Sequence, residues 1–174
     1  SALSNINKKL ILQKDKTSSA VYRVHFRRVS SGWKGKIMKY TASLVQLHID
    51  ERISRLRAEA LARGIPVADD ETLNFLLLTL AAVQPTRILE IGTAVGLSSV
   101  AMLYACKNAR LTTMELEEDR FAEAKENFIE FGVSNRVNAY LGDAGEILAM
   151  MDGEFDFVFL DGPKAQYEKY LFDL

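Results

Sequence analysis

Cysteine is almost missing from this chain. The single one, Cys106, rules out an internal disulfide and stands among helix-forming apolar residues, which fits a buried, reduced thiol in a cytoplasmic protein. Histidine is nearly as scarce: His25 and His48 form no ligand cluster, and no Cys/His zinc spacing exists. The prolines are few, Pro66, Pro85 and Pro163, each where an element is expected to stop or start. No apolar run approaches the ~18 residues of a membrane span, and no targeting pattern is legible. Disulfide scaffolds, zinc modules and membrane-spanning helices are thereby excluded. What remains is the composition of one soluble domain of ~100–200 residues.

A balanced charge is also missing. The net charge of −1 hides a division, because residues 1–39 carry ten Lys/Arg against one acid, Asp15, whereas residues 40–174 carry twelve against twenty-two. This divides the chain into a basic N-terminal segment, 1–39, and an acidic domain, 40–174. Within the segment, Lys9 to Gln13 and Ala20 to Val29 read as two short strands with Lys14 to Ser19 as the turn, and Tyr22, Val24 and Phe26 alternate with Arg23, His25 and Arg27. Three readings stay open: a nucleic-acid-binding arm, a hairpin that pairs with a sheet edge, or a leader foreign to the domain, with Met38 its natural start.

From Tyr40 to Arg63 the pattern is helical, with Ile49, Ile53, Leu56 and Ala60 on one face, and Gly64 and Pro66 end it. Asp69 or Asp70 caps a second helix, Glu71 to Val83, whose apolar core predicts burial nearly all round; Gln84-Pro85 stops it. Then strands and helices alternate: Ile88 to Ile91, a helix from about Gly96, Arg110 to Leu116, a helix Asp119 to Phe131, Arg136 to Leu141, a short helix Glu146 to Met151, Phe155 to Leu160, and a helix from Pro163. Such alternation implies a parallel α/β sheet with right-handed crossovers.

The central stretch is RILEIGTAVGLSSVAMLYA, Arg87 to Ala105: strand, glycine turn, helix. Gly92 permits a tight turn and close approach of a ligand to the backbone. The helix after Gly96 points free N–H groups and a positive dipole end across the turn, which suits a carboxylate. A dinucleotide site wants a second glycine where Ala94 stands; the pattern here is instead E-x-G-x-x-x-G, beginning at Glu90. Four strand ends carry Glu90, Glu115, Asp143 and Asp161, converging on the edge where open α/β sheets bind ligands. Glu115 is placed to accept from two ribose hydroxyls, and Asp143 from an adenine amino group. Singly, each acid reads as well as a helix cap.

The turn resembles motif I of class I S-adenosylmethionine-dependent methyltransferases. With ILEIGTAVGLSSVAML, LTTMELEEDRFAEAKENF, YLGDAGEIL and FDFVFLDGPKAQYEKYL in series, residues 40–174 resemble the metal-dependent O-methyltransferases, which include catechol and caffeoyl-coenzyme A enzymes and bacterial relatives acting on 5-hydroxyuridine in transfer RNA. The resemblance implies a Rossmann-like parallel sheet of order 3-2-1-4 in the part present. It implies that Gly92, Thr93, Gly96 and Ser98 surround the methionine end of S-adenosylmethionine, with Glu90 beside them, that Glu115 holds its ribose, and that Asp143 and Ala144 flank its adenine. Val67 and Ala68 match a cofactor-touching segment more loosely. Asp161 would face the cofactor and hold a divalent cation, Mg²⁺ by the chemistry of carboxylate and substrate oxygens. Lys164 would be the general base for the acceptor hydroxyl. Taken singly, Asp161 also reads as the N-cap of the helix from Pro163, and Lys164 as a solvated first-turn lysine.

The expected function is methyl transfer from S-adenosylmethionine to a hydroxyl oxygen of a catechol or other small molecule, in a cytoplasmic homodimer. Alternatives are a transfer RNA 5-hydroxyuridine methyltransferase, which the basic arm favours, and an inactive nucleotide- or nucleic-acid-binding module. One departure stands out: the family's sheet has seven strands, with an Asp-Asn pair of metal ligands after the fifth, and this chain reads as truncated before strand 5. Its last strand, Phe155 to Leu160, is expected to be an exposed edge.

Overall fold

The computed structural model describes residues 10–14, 22–26, 50–151 and 154–161. Two N-terminal strands, β1 (Leu10–Lys14) and β2 (Tyr22–Phe26), precede two helices, α1 (Glu51–Ala62) and α2 (Asp70–Val83). Then come β3 (Arg87–Ile91), α3 (Leu97–Ala105), β4 (Arg110–Glu115), α4 (Glu118–Glu130), a 3-10 turn (Ser134–Arg136), β5 (Val137–Leu141), α5 (Ala144–Ala149) and β6 (Phe157–Leu160). The basic segment beyond its strands, residues 40–49 of the first expected helix, and the helix from Pro163 with Lys164 lie outside the described residues.

The helices begin where side chains can satisfy their first N–H groups. Asp50 accepts from the Arg52 N–H at the start of α1, and Asp69, rather than Asp70, accepts from the Thr72 N–H at the start of α2. Asp143 takes the N–H groups of both Gly145 and Glu146, so α5 starts at Ala144, two residues earlier than its apolar pattern suggested. α2 buries Leu73, Leu76, Leu77 and Leu80, but Ala81, Ala82 and Val83 are exposed, so its last turn is not enclosed as expected.

The sheet runs β2-β1-β6-β3-β4-β5. Its β5-β4-β3-β6 part is parallel throughout and is the expected 3-2-1-4 order of a Rossmann-like α/β fold. Alternation along each strand sorts the core into two layers. Ile88, Leu111, Phe157 and Phe159 face the side packed by α1 to α4. Leu89, Ile91, Met114, Val158 and Leu160 face the other, where α5 supplies Ala144 and Leu148.

The expectation of a bare edge at the last strand is corrected. β1 lies parallel on β6, Leu10 opposite Phe157 through Gln13 opposite Leu160, and β2 returns antiparallel beside β1. Of the three readings of the basic segment, the hairpin on the sheet edge is the arrangement seen in these strands. Among the described residues no helix is long and apolar enough to cross a membrane.

Candidate functional site

Parallel strands bring the ends of β3, β4, β5 and β6 to one edge of the sheet. The turn after β3 is bent by two glycines in the left-handed region, Gly92 at φ 99° and Gly96 at φ 83°. Ala94 between them also has positive φ, 46°, a conformation that costs an L-residue about 1–2 kcal/mol. Other contacts hold it there. The Ala94 N–H donates to Glu115 Oε2 at 2.7 Å, Asn127 Nδ2 donates to the Val95 carbonyl at 2.8 Å, and the ring of Phe128 occupies the space beside Gly96.

Glu115 is 7% exposed. Its Oε1 accepts from the N–H groups of Leu116 and Glu117, at 2.9 and 3.0 Å. Among the described residues Oε2 takes the Ala94 N–H alone, and a carboxylate oxygen has room for two donors. Glu115 thus fastens the glycine turn to the end of β4 and keeps acceptor capacity at the expected ribose position.

Glu90 does not stand on a rim with the other acids. It is fully buried, and Ser98 (2.5 Å), Ser99 and Thr113 (2.7 Å) all donate hydroxyls to its carboxylate. Thr93 Oγ1 lies 2.6 Å from Thr113 Oγ1. Burial pushes the Glu90 carboxyl up to about 7; the three hydroxyls pull against that, and the nearby Asp161 charge adds to it. Ser98, expected at the cofactor's methionine end, spends its hydroxyl on Glu90 and is 7% exposed.

The helix after the turn has no side-chain cap, because Gly96 is its N-cap. Its first N–H groups and its dipole end face the edge where the strand ends meet. Asp161 follows β6 directly, half-buried, and its N–H donates to the Ile91 carbonyl at 3.0 Å, which sets it beside Gly92. Asp143 and Ala144 open α5 after β5. Val67 and Ala68 lie between α1 and α2, with the Ala68 carbonyl accepting from Arg57 Nε at 3.1 Å. Among the described residues no cluster of three or more His, Cys, Asp or Glu side chains could hold a metal.

Sequence reasoning picked out Glu90, Glu115 and Ser98 but missed Ser99 and Thr113. The legible signal was a polar pair, Ser98-Ser99, in an otherwise apolar helix, and a Thr-Thr pair in a strand buried from Leu111 to Glu115.

Known proteins resemble this chain in sequence and in fold. The chain is 35% identical over 118 residues to a catechol O-methyltransferase of Niastella koreensis, which covers 65% of this chain and 53% of that protein. It is 34% identical over 100 residues to a catechol O-methyltransferase of Mycobacterium tuberculosis, covering 56% of this chain and 46% of the other. The structure of Podospora anserina methyltransferase PaMTH1 with SAH superposes with a TM-score of 0.70 at 26% identity, over 77% of this chain and 59% of that one. The Streptomyces achromogenes O-methyltransferase TomG, in complex with SAM, gives 0.67 at 30% identity, over 77% and 63%. The chain thus spans about half the length of these catechol enzymes and about six tenths of the two solved chains. The profile of the O-methyltransferase family matches residues 38–173, most of the chain, and the chain belongs to that family.

Proposed function

We propose that this chain forms the cofactor-binding part of an S-adenosylmethionine-dependent O-methyltransferase whose acceptor is a small catechol-type hydroxyl compound. The observation that carries the proposal is the meeting of two features at one strand edge: the uncapped start of α3 behind the glycine turn, and Glu115 holding that turn through Ala94. The fit to the cofactor is chemical. Uncapped helix N–H groups suit the carboxylate of its methionine end. The spare acceptor capacity of Glu115 suits ribose hydroxyls. Relatives named for catechol supply the acceptor class; the transfer RNA reading gains no support from these names.

When bound, S-adenosylmethionine would supply an electrophilic methyl for in-line attack by the acceptor oxygen, with the thioether sulfur of S-adenosylhomocysteine as leaving group. The chain's own residues fix the geometry of that attack. Glu115 would hold the ribose and the turn with the start of α3 the methionine end, so the methyl between them would be presented from a fixed position. Lys164, the base implied by the resemblance, would take the acceptor's proton; it lies outside the described residues. Asp161 would offer one oxygen donor to a divalent cation. One carboxylate does not make a cation site, so its role in the proposal stops there. Assembly as a homodimer belongs to the same proposal.

Calorimetry with S-adenosylhomocysteine tests the cofactor half. The unmodified chain is expected to bind, and Glu115→Ala to lose on the order of 1.5–3 kcal/mol, the size of a charge-assisted hydrogen bond. Unchanged affinity in the variant removes Glu115 from the site. Methyl transfer to catechol by the full-length protein, with Mg²⁺ and with chelator, tests the acceptor and the ion together.

A further inference from the structure

We propose that Thr113 is a positioning residue for the methionine end of the cofactor, acting through Glu90 and Thr93 without touching the ligand. The inference rests on the glycine turn being the S-adenosylmethionine site. Thr113 is wholly buried in β4 and stands opposite Glu90 in the β3–β4 register. It therefore has no surface for a ligand, and its effect must pass through neighbours.

With Glu90 ionised, counting protons fixes the direction of the network. A hydroxyl has one proton to donate and two lone pairs to accept with. Thr113 gives its proton to Glu90 Oε2 at 2.7 Å. The 2.6 Å contact with Thr93 then runs from Thr93 to Thr113. Ser98 donates to Oε1 and Ser99 to Oε2 of the same carboxylate. Both ends of the turn are thus tied to one buried acid: Thr93 at its start, through Thr113, and Ser98 and Ser99 where the helix begins. The backbone of the turn is already held to β4, where the Met114 carbonyl accepts from the Gly92 and Thr93 N–H groups at 3.0 and 3.1 Å. Within the Glu90 network Thr113 is the side chain anchored on β4, so it sets the Thr93 side chain against the sheet.

Thr113→Val keeps the shape and the β-branch and removes the hydroxyl. Thr93, itself 1% exposed, loses its acceptor, and Glu90 loses a donor. The Thr93 side chain is released, while the Met114 carbonyl still holds the Gly92 and Thr93 N–H groups and Glu115 still clamps Ala94. The part of the ligand held by the turn and the helix start should suffer; the nucleoside part, on Glu115 and Asp143, should not.

Binding of two ligands separates these parts. S-adenosylhomocysteine carries the amino-acid end, and adenosine lacks it. Thr113→Val is expected to weaken S-adenosylhomocysteine by about tenfold while adenosine changes by less than about twofold. Thr113→Ser, which restores the hydroxyl, should recover most of the loss, and Thr93→Val, which removes the other end of the link, should reproduce it. Thermal unfolding checks that each variant is folded. A parallel loss for both ligands, or no loss for either, would overturn the inference and leave the site reading intact. Failure of the unmodified chain to bind either ligand would overturn both.

Discussion

At Glu90 two effects of opposite sign act on one carboxylate. Three hydroxyl donors favour its ionised form, each by an amount of order 1 kcal/mol. Complete burial disfavours it by more, so the group titrates at about 7 rather than 4.5. Its folded-state pKa is raised, so the folded chain binds this proton more tightly than the unfolded chain does. This group's contribution to stability is therefore present in full below about pH 4.5 and is lost as pH rises to about 7. The span corresponds to on the order of 3 kcal/mol. Urea unfolding at pH 5 and pH 8 is expected to show a larger drop in stability for the natural chain than for Glu90→Gln, which cannot titrate. Equal drops would mean that the carboxylate reaches water. The sequence marked Glu90 through its place in the turn pattern. It could not show that the acid points inward, because the partners Ser99 and Thr113 are fixed by register and helix phase, not by local pattern.

The glycine turn, as an element, is built from one comfortable and one uncomfortable choice. At Gly96 a Cβ would stand 2.7 Å from the ring of Phe128, and φ is 83°. Gly96→Ala thus meets the left-handed cost of about 1–2 kcal/mol and overpacking of about 1–3 kcal/mol. The expected fall in Tm is roughly 5–15 °C, at about 2–4 °C per kcal/mol for a chain of this size. Ala94 is the reverse case, an L-residue at φ 46°. Ala94→Gly removes that strain but adds about 0.5–1 kcal/mol of backbone entropy, so Tm should hold or rise slightly. A fall after Ala94→Gly as large as that after Gly96→Ala would mean that the methyl of Ala94, not the backbone, is what matters. Elements of this kind were legible in the sequence. β3 to β6 start and end within two residues of the expected bounds, because apolar runs and strand-end acids mark them. The errors have physical causes. Arg136, read as the first residue of a strand, closes a 3-10 turn and gives its guanidinium to the carbonyls of Leu103, Cys106 and Lys107 at the end of α3. Phe155 and Asp156, read as strand, precede it, and the Asp156 carboxylate accepts from the Thr86 and Arg87 N–H groups at the foot of β3.

For the whole molecule, the consequential arrangement is the one least legible from local pattern: which strand covers β6. Alternation marked two strands in the basic segment, yet period 2 says nothing of a strand's neighbour. Charge supplies a reason for the segment to stay near the domain, since ten Lys/Arg against one acid in residues 1–39 face an excess of ten acids in residues 40–174. Hydrogen bonding supplies another. β6 is an uncharged strand, Phe-Val-Phe-Leu, with every residue buried, and as an edge it would offer unpaired N–H and C=O groups without any protecting charge or proline. β1 pairs with that edge along four residues. A chain started at Met38 lacks this cover. It is expected to unfold several degrees lower than the full 174-residue chain, to lose amide protection along Phe157–Leu160, and to self-associate at concentrations where the full chain stays dispersed. Hydrogen exchange and light scattering on the two chains make the comparison. If the shorter chain keeps the same Tm, the same protection in β6 and the same dispersity, the hairpin is not what holds that edge, and the basic segment is a nucleic-acid-binding arm or a leader instead.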